Sequence, residues 1–310
     1  MSKVAIVGVV GRTNAGKSTL VNALVGEKVS IVSPVEQTTR NTVRGIASDE
    51  RGQLVLLDTP GLHKAVGELG RLLNRMARRS AAGTDITCVV FDAAQEPQLE
   101  DIGWMQRIAK EKPEKVVFVL NKADKAPFYE TMFRDAWSSA QTEAKNDGDK
   151  LVSPLWIKCI ASTPGGAKAV ADALFDLAEE GEKLFDDDIV TDYPRKLAIA
   201  DSIREKYLAK LHQELPHELG VFVKAIKEKA GPKGPVWEIE VRLLVNRASQ
   251  KPIVIGKAAQ TIKYVRKCAE LEVGEMFGVK AEMSLWVDVE PNWMKNRRLL
   301  TDMGYLGELV

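Results

Sequence analysis

From residue 3 to about residue 181, short β-branched runs alternate with stretches whose apolar positions recur at helical spacing. The runs Val4–Val10, Leu54–Asp58, Thr87–Phe91 and Val116–Leu120 are almost continuously apolar, as parallel strands buried on both faces must be. Ser18–Val25, Leu69–Ala82 and Ile102–Lys110 carry the helical period. The alternation predicts an α/β fold: a doubly wound, mostly parallel sheet with helices on both faces. Ala144–Lys150, with Asn146-Asp147-Gly148-Asp149, reads as a polar surface loop. The pattern breaks at Asp186-Asp187-Asp188, followed by Asp192 and Pro194, which divides the chain into a first domain over 1–185 and a second over 186–310. In the second, Arg195–Leu215 predicts an amphipathic helix, Trp237–Val245 a strand, Ala258–Leu271 a helix and Glu282–Val287 a last strand. This smaller domain is α+β.

Composition agrees with two globular domains, since 310 residues exceed the usual span of one. Hydrophobic residues make up 45% and charged residues 28%, and no apolar run reaches the roughly 18 residues of a membrane-spanning helix. The opening Met1–Gly11 runs straight into a strand pattern without the apolar core of a secretory signal, so the expected location is the cytosol. Cys88, Cys159 and Cys268 are widely separated, which predicts buried, reduced thiols rather than a disulfide framework or a zinc site. The net charge of +1 conceals an asymmetry: Arg195–Val310 carries 20 Lys and Arg against 15 Asp and Glu. That surplus tilts the second domain towards a polyanionic partner.

Candidate chemistry begins at Gly11-Arg12-Thr13-Asn14-Ala15-Gly16-Lys17-Ser18, which fits G-x4-G-K-[ST] between a predicted strand and a predicted helix. The glycines let the backbone wrap phosphates closely, aiming N–H groups and a helix N-terminus at negative charge. Lys17 would reach the terminal phosphates and the Ser18 hydroxyl would bind Mg²⁺, with Thr19 following in the same turn. Asp58-Thr59-Pro60-Gly61 ends an apolar strand: Asp58 is placed to hold magnesium, and Gly61 lets an N–H approach the γ-phosphate. Asn121-Lys122-Ala123-Asp124 stands at the end of another strand, where ligands of open α/β sheets gather. A carboxylate at Asp124 can accept from both N1–H and the exocyclic amino group of guanine, donors that adenine does not offer. Asn121 would brace the loop and contact the base, and the Lys122 stem would cover its ring.

These three motifs, in this order, resemble the translation-factor-related P-loop GTPases, and Gln37-Thr38-Thr39-Arg40 ahead of Asp58-Thr59-Pro60-Gly61-Leu62-His63 resembles the Era family. The resemblance implies binding and hydrolysis of GTP to GDP, with Thr38 or Thr39 supplying a Mg²⁺ ligand from the first switch loop. Where the family has Ser-Ala in its last guanine loop, this chain has Cys159-Ile160-Ala161-Ser162. Since that loop offers backbone N–H groups, Ala161 and Ser162 are the expected contacts. Many relatives position the attacking water with a glutamine after the second-switch glycine; here the residue is Leu62, so slow intrinsic turnover is expected. Asn14 resembles the asparagine that coordinates K⁺ in some members, the alternative being a loop-bracing hydrogen bond. His63 is read as solvent-facing rather than as a base.

In the second domain, Ile253-Val254-Ile255-Gly256-Lys257-Ala258-Ala259-Gln260-Thr261-Ile262-Lys263 resembles the centre of a KH domain, whose G-x-x-G turn clamps single-stranded RNA. Leu215-Pro216-His217-Glu218, Glu275-Met276-Phe277, Leu285-Trp286-Val287 with Val289, and Leu300 through Gly304-Tyr305 extend the resemblance to the Era C-terminal half. One departure stands out, because the second glycine of the turn is Ala259. Its methyl either blocks close approach of the RNA backbone or forces the turn away from positive φ. Charge argues for retained binding: Lys251, Lys257, Lys263, Arg266 and Lys267 include no acid among them over that stretch.

The implied function is a GTP switch coupled to a KH domain on small-subunit (16S) ribosomal RNA near its 3′ end, acting in assembly of the 30S-type subunit. The resemblance also allows peripheral contact with the inner membrane, and a monomer is expected. Two alternatives are a switch whose C-terminal domain binds a protein, and a GTP-gated subunit of an RNA-modification enzyme.

Overall fold

The computed structural model describes residues 2–32, 41–60, 83–144, 151–211, 215–232 and 234–305. Thr38, Thr39, Gly61, Leu62, His63 and the helix expected over Leu69–Ala82 lie outside the described residues. The chain forms two compact units, Met1–Asp192 and Tyr193–Val310.

The first unit is an α/β sheet ordered β2-β3-β1-β4-β5-β6. Its strands are β1 (Ser2–Val10), β2 (Val43–Asp49), β3 (Gly52–Asp58), β4 (Ile86–Asp92), β5 (Val116–Asn121) and β6 (Leu155–Lys158). All pairings along this path are parallel except β2 with β3, and a short β7 (Glu179–Gly181) adds antiparallel to β1. Helices α1 (Lys17–Val25), α2 (Leu99–Glu111), α3 (Glu130–Ala144) and α4 (Lys168–Leu177) supply the covering layers. Every residue of β4 and β5 is buried, which explains why their sequences show no polar alternation. One core holds Val7, Leu20, Leu54, Val90 and Leu174. The other is aromatic, with Phe91, Trp104, Phe118, Phe133 and Trp137. Because the central strands are anchored by both cores, their C-terminal ends at Val10, Asp58, Asp92 and Asn121 form a fixed rim.

The segment after β7 does not behave as the linker read from its acidic run. The buried Gln53 amide donates to the Phe185 carbonyl and accepts from the Leu184 and Phe185 N–H groups. Ile46 N–H donates to the Val190 carbonyl, and Arg44 pairs with Asp192 at 2.5 Å. These bonds hold 184–192 on β2 and β3, so the units divide between Asp192 and Tyr193 rather than between 185 and 186.

The second unit contains α5 (Arg195–Leu208), α6 (Leu215–Glu218), β8 (Gly220–Gly231), β9 (Gly234–Val245), α7 (Lys251–Ile255), α8 (Gln260–Phe277), β10 (Lys280–Val289) and α9 (Arg297–Asp302). Its sheet runs β10-β9-β8, parallel for the first pair and antiparallel for the second. Ile199, Ile203 and Tyr207 from α5 meet Val265, Ala269 and Val273 from α8 over the strands. The helix expected over Arg195–Leu215 ends at Leu208, and Leu215 begins a separate short helix. The helix expected from Ala258 starts at Gln260, because Ala258 and Ala259 hold left-handed backbone angles, and it continues to Phe277. Cys88 and Cys159 are buried, whereas Cys268 is half-buried, a correction to the expectation for all three. Among the described residues no helix is long and apolar enough to cross a membrane.

Candidate functional site

The rim of the first unit is built around the loop between β1 and α1. Helix α1 begins at Lys17 without a side-chain cap and without an acid in its first turn, so its amide groups face the loop as an uncompensated positive end. Gly16 turns the chain into the helix at φ 99°; a Cβ there would stand 2.2 Å from the Asn121 Nδ2. Only glycine lets the two segments meet this closely.

Lys17 is 6% exposed and its ammonium donates to the Arg12 carbonyl at 2.8 Å. Burial pushes its pKa down to about 8, opposed by the negative charge of Asp58. Asp58 is fully buried at the end of β3, and the following Thr59 hydroxyl donates to the Val9 carbonyl at 3.0 Å. A cation kept out of water beside a buried carboxylate is prepared for an anionic ligand that replaces its lost hydration. Ser18 and Thr19 are half-buried in the first turn of α1, Pro60 is buried, and Thr13 is half-buried.

Asn121 joins the loop to the rest of the rim. Its Nδ2 donates to the Ala15 carbonyl at 2.9 Å, and its Oδ1 accepts from the Ala161 N–H at 3.1 Å. The Lys122 ammonium donates to the Asn14 carbonyl at 3.0 Å and pairs with Asp92 at 2.6 Å. Ala123 N–H donates to the Cys159 carbonyl at 3.1 Å. Asp124 stands exposed in the same turn, Ala161 is buried, and Ser162 is exposed. Beside this loop lies a groove of about 610 Å³, lined by Thr19, Asn22, Lys28, Ala161, Ser162 and Lys168 among others. Asn14 is exposed at φ 61°. The structure therefore brings Gly11–Ser18, Asp58, Asn121, Lys122 and Ala161 together, with Asp124 and Ser162 at the solvent edge.

Three residues of this rim were not anticipated. The Arg12 side chain pairs with Asp101 at 3.0 Å and with Asp92 at 3.5 Å, and donates to Gln95 Oε1 at 3.1 Å. Asp92 was readable as the polar end of a buried strand, and Asp101 as the third helical residue after Gln98, whose N–H it accepts. Neither signal says that Arg12 is the shared partner.

In the second unit, Gly256 ends α7 at φ 79°, ψ 163°, and a Cβ there would stand 2.2 Å from Thr261 Oγ1. Ala258 (φ 49°, ψ 32°) and Ala259 (φ 58°, ψ 25°) both occupy the left-handed region. The turn has therefore not been forced away from positive φ, as one of the two expectations for Ala259 had it. Packing of Val254, Val265, Ala269 and Val273 in one core holds the flanking helices and imposes the conformation, against a preference of roughly 1–2 kcal/mol per alanine. Lys251, Lys257, Lys263, Arg266 and Lys267 are all exposed. Lys263, Arg266 and Lys267 share one face of α8 by their spacing.

A family described as 50S ribosome-binding GTPase matches residues 6–122, and the KH domain family matches residues 214–294. GTPase Era of Ruminiclostridium cellulolyticum is 32% identical over 304 residues, covering 98% of this chain and 97% of that one. GTPase Era of a Thermoanaerobacter species is 34% identical over 303 residues, covering 98% and 96%. Among solved structures, Era in complex with MgGDPNP and nucleotides 1506-1542 of 16S ribosomal RNA superposes with a TM-score of 0.87 at 30% identity, covering 98% of this chain and 99% of that one. A variant of Aquifex aeolicus Era bound to GDP.AlF4- gives 0.86 at 30% identity with the same coverage. With both domains matched in the same order and nearly end to end, this chain belongs to the Era family of GTPases.

Proposed function

We propose that this chain is a GTP-hydrolysing switch that binds small-subunit ribosomal RNA near its 3′ end and acts in assembly of that subunit. The observation that carries the nucleotide half is the convergence at Asn121, where one amide ties the phosphate-type loop at Ala15 to the second guanine-type loop at Ala161. In this reading the backbone of Gly11–Gly16 and the first turn of α1 cradle the phosphates. Lys17 exchanges its bond to the Arg12 carbonyl for the terminal phosphates, and Asp124 selects guanine. The Ser162 amide faces the guanine oxygen, joined by the Ala161 amide once it exchanges its bond to Asn121 Oδ1 for the base. The residues present fit Mg²⁺: the Ser18 hydroxyl stands in the first turn of α1 and the buried Asp58 carboxylate interacts with Lys17, and Thr38 or Thr39 would complete the set. When bound, Mg²⁺ supplies positive charge to the β- and γ-phosphate oxygens.

Leu62 can neither donate to nor accept from a water, so turnover without an activating partner is slow, and Asn14 provides an oxygen for K⁺ in place of an arginine finger. The γ-phosphate orders the switch segments and favours RNA binding by the second unit, and hydrolysis favours release. The chain acts as a cytoplasmic monomer, and any membrane contact is peripheral. Support for the RNA half comes from the exposed cations around the 256–259 turn and from the relative solved with 16S ribosomal RNA.

Anisotropy of a labelled single-stranded RNA carrying the small-subunit 3′-terminal sequence tests the reading. Binding is expected to tighten with a GTP analogue relative to GDP, and to weaken at least tenfold in the K257A/K263A double variant. Equal binding of an unrelated RNA, indifferent to nucleotide and to both substitutions, contradicts it.

A further inference from the structure

The two acids beneath the phosphate loop call for a role, since they are buried charges that a hydrophobic pair could replace. Asp101 is 0% exposed and Asp92 1%. Between them lies the Arg12 guanidinium, at 3.0 Å from Asp101, 3.5 Å from Asp92 and 3.1 Å from Gln95 Oε1. A planar guanidinium paired with two buried carboxylates and hydrogen-bonded to one amide oxygen, on a strand end, a helix and a loop, has little freedom left. Its own backbone carbonyl is the group that holds the Lys17 ammonium, at 2.8 Å. The path from α2 to the phosphate-binding lysine is therefore short and contiguous: Asp101 carboxylate, Arg12 side chain, Arg12 carbonyl, Lys17.

We propose that Asp101 is a positioning residue for the phosphate loop, acting through the Arg12 guanidinium to set the carbonyl that aims Lys17. The role rests on the nucleotide site proposed above and adds to it a residue outside the three sequence motifs. Two features support it beyond proximity. Asp101 also accepts the Gln98 N–H at 3.0 Å as part of the α2 capping box, so its carboxylate is fixed by the helix rather than by Arg12 alone. The second cation that touches the loop, Lys122, is held in the same way: its ammonium donates to the Asn14 carbonyl at 3.0 Å and pairs with Asp92 at 2.6 Å. Arg12 and Lys122 thus brace the loop at positions 12 and 14 from the same acidic floor, so both positive side chains are already paired with carboxylates rather than left to reach for bound phosphates. An arginine free to swing would compete for those phosphates, or leave its carbonyl undefined.

The test is a double-mutant cycle on GDP affinity at pH 7.5, measured by calorimetry in Mg²⁺ with D101N, R12A and the double variant. D101N keeps the shape and one acceptor oxygen while removing the charge, and is expected to weaken GDP binding by about tenfold, the usual effect of losing a bond to a charged group. Once Arg12 is already alanine, adding D101N is expected to change nothing further, a result that a purely structural role of Asp101 in α2 would not produce. R12K covers the case in which D101N does not fold: it keeps the charge but cannot reach all three acceptors, and it too is expected to bind GDP more weakly. Wild-type affinity in D101N or in R12K, or effects of D101N and R12A that multiply in the double variant, overturns the proposal. A wild-type chain that binds no GDP overturns the nucleotide site itself, and this role with it.

Discussion

Asp101 carries a second, independent signature. Burial pushes its pKa up to about 6, against the pull of Arg12 and the Gln98 amide, so the folded chain holds that proton more firmly than the unfolded one. A group raised in this direction stabilises the fold below its unfolded pKa near 4 and loses that contribution as pH rises through 6. Between pH 4.5 and pH 7.5 the wild type should therefore lose about 2 kcal/mol of unfolding free energy relative to D101N, which has no proton to release there. Denaturant titrations of the two proteins at both pH values measure this, and a difference that stays flat or grows with pH contradicts it. Most residues of the rim were legible one by one. Lys17, Asp58, Asn121 and Asp124 sit in motifs whose spacing to strand ends is itself informative, because strand C-termini in an open parallel sheet share one edge. Asp92 and Asp101 were not, since their role depends on which cation faces them, and that is settled only when α2 and β4 pack.

Among the elements, the 256–259 turn with α8 shows how tertiary packing overrides local preference. Two alanines in left-handed conformation precede the helix, although either would relax in an isolated peptide. A259G should remove the Cβ strain and stabilise the second unit by about 1 kcal/mol, read as a higher midpoint in thermal or denaturant unfolding. A loss of stability would mean that the Ala259 methyl makes a contact worth more than its strain. The same physics explains which elements were readable. The central strands were visible because burial on both faces leaves continuous apolar runs. Strand β8 was not, because its register shifts between Val223 and Ala225 and its outer half, including Lys224, Lys227, Glu228 and Lys229, is exposed. Both effects erase the period of two. The end of α5 at Leu208 was missed for a simpler reason: apolar residues continue past it to Leu211 and Leu215, which are buried by other segments of the same unit.

For the whole molecule, the charge asymmetry seen in composition has a structural counterpart in the exposed cations Lys251, Lys257, Lys263, Arg266 and Lys267. If all five contact phosphates of a single strand, log K should fall with log salt at a slope of about −3.5, and K257A/K263A should reduce that slope by about 1.4. Filter binding or anisotropy across a salt series reads both numbers; a slope near zero removes RNA from the account of the second unit. The two-domain organisation was legible from composition and pattern, while the point of division was not. The acidic run resembles a linker in sequence, yet its neighbours are hydrogen-bonded to β2 and β3 by Gln53, Ile46 and Arg44.

The nucleotide site is defined by its discrimination of purines at the rim, and calorimetry with GDP and ADP in Mg²⁺ measures that most directly. GDP is expected to bind at least a hundredfold more tightly than ADP, and D124A to remove most of the difference. Equal affinity for the two in the wild type would contradict it.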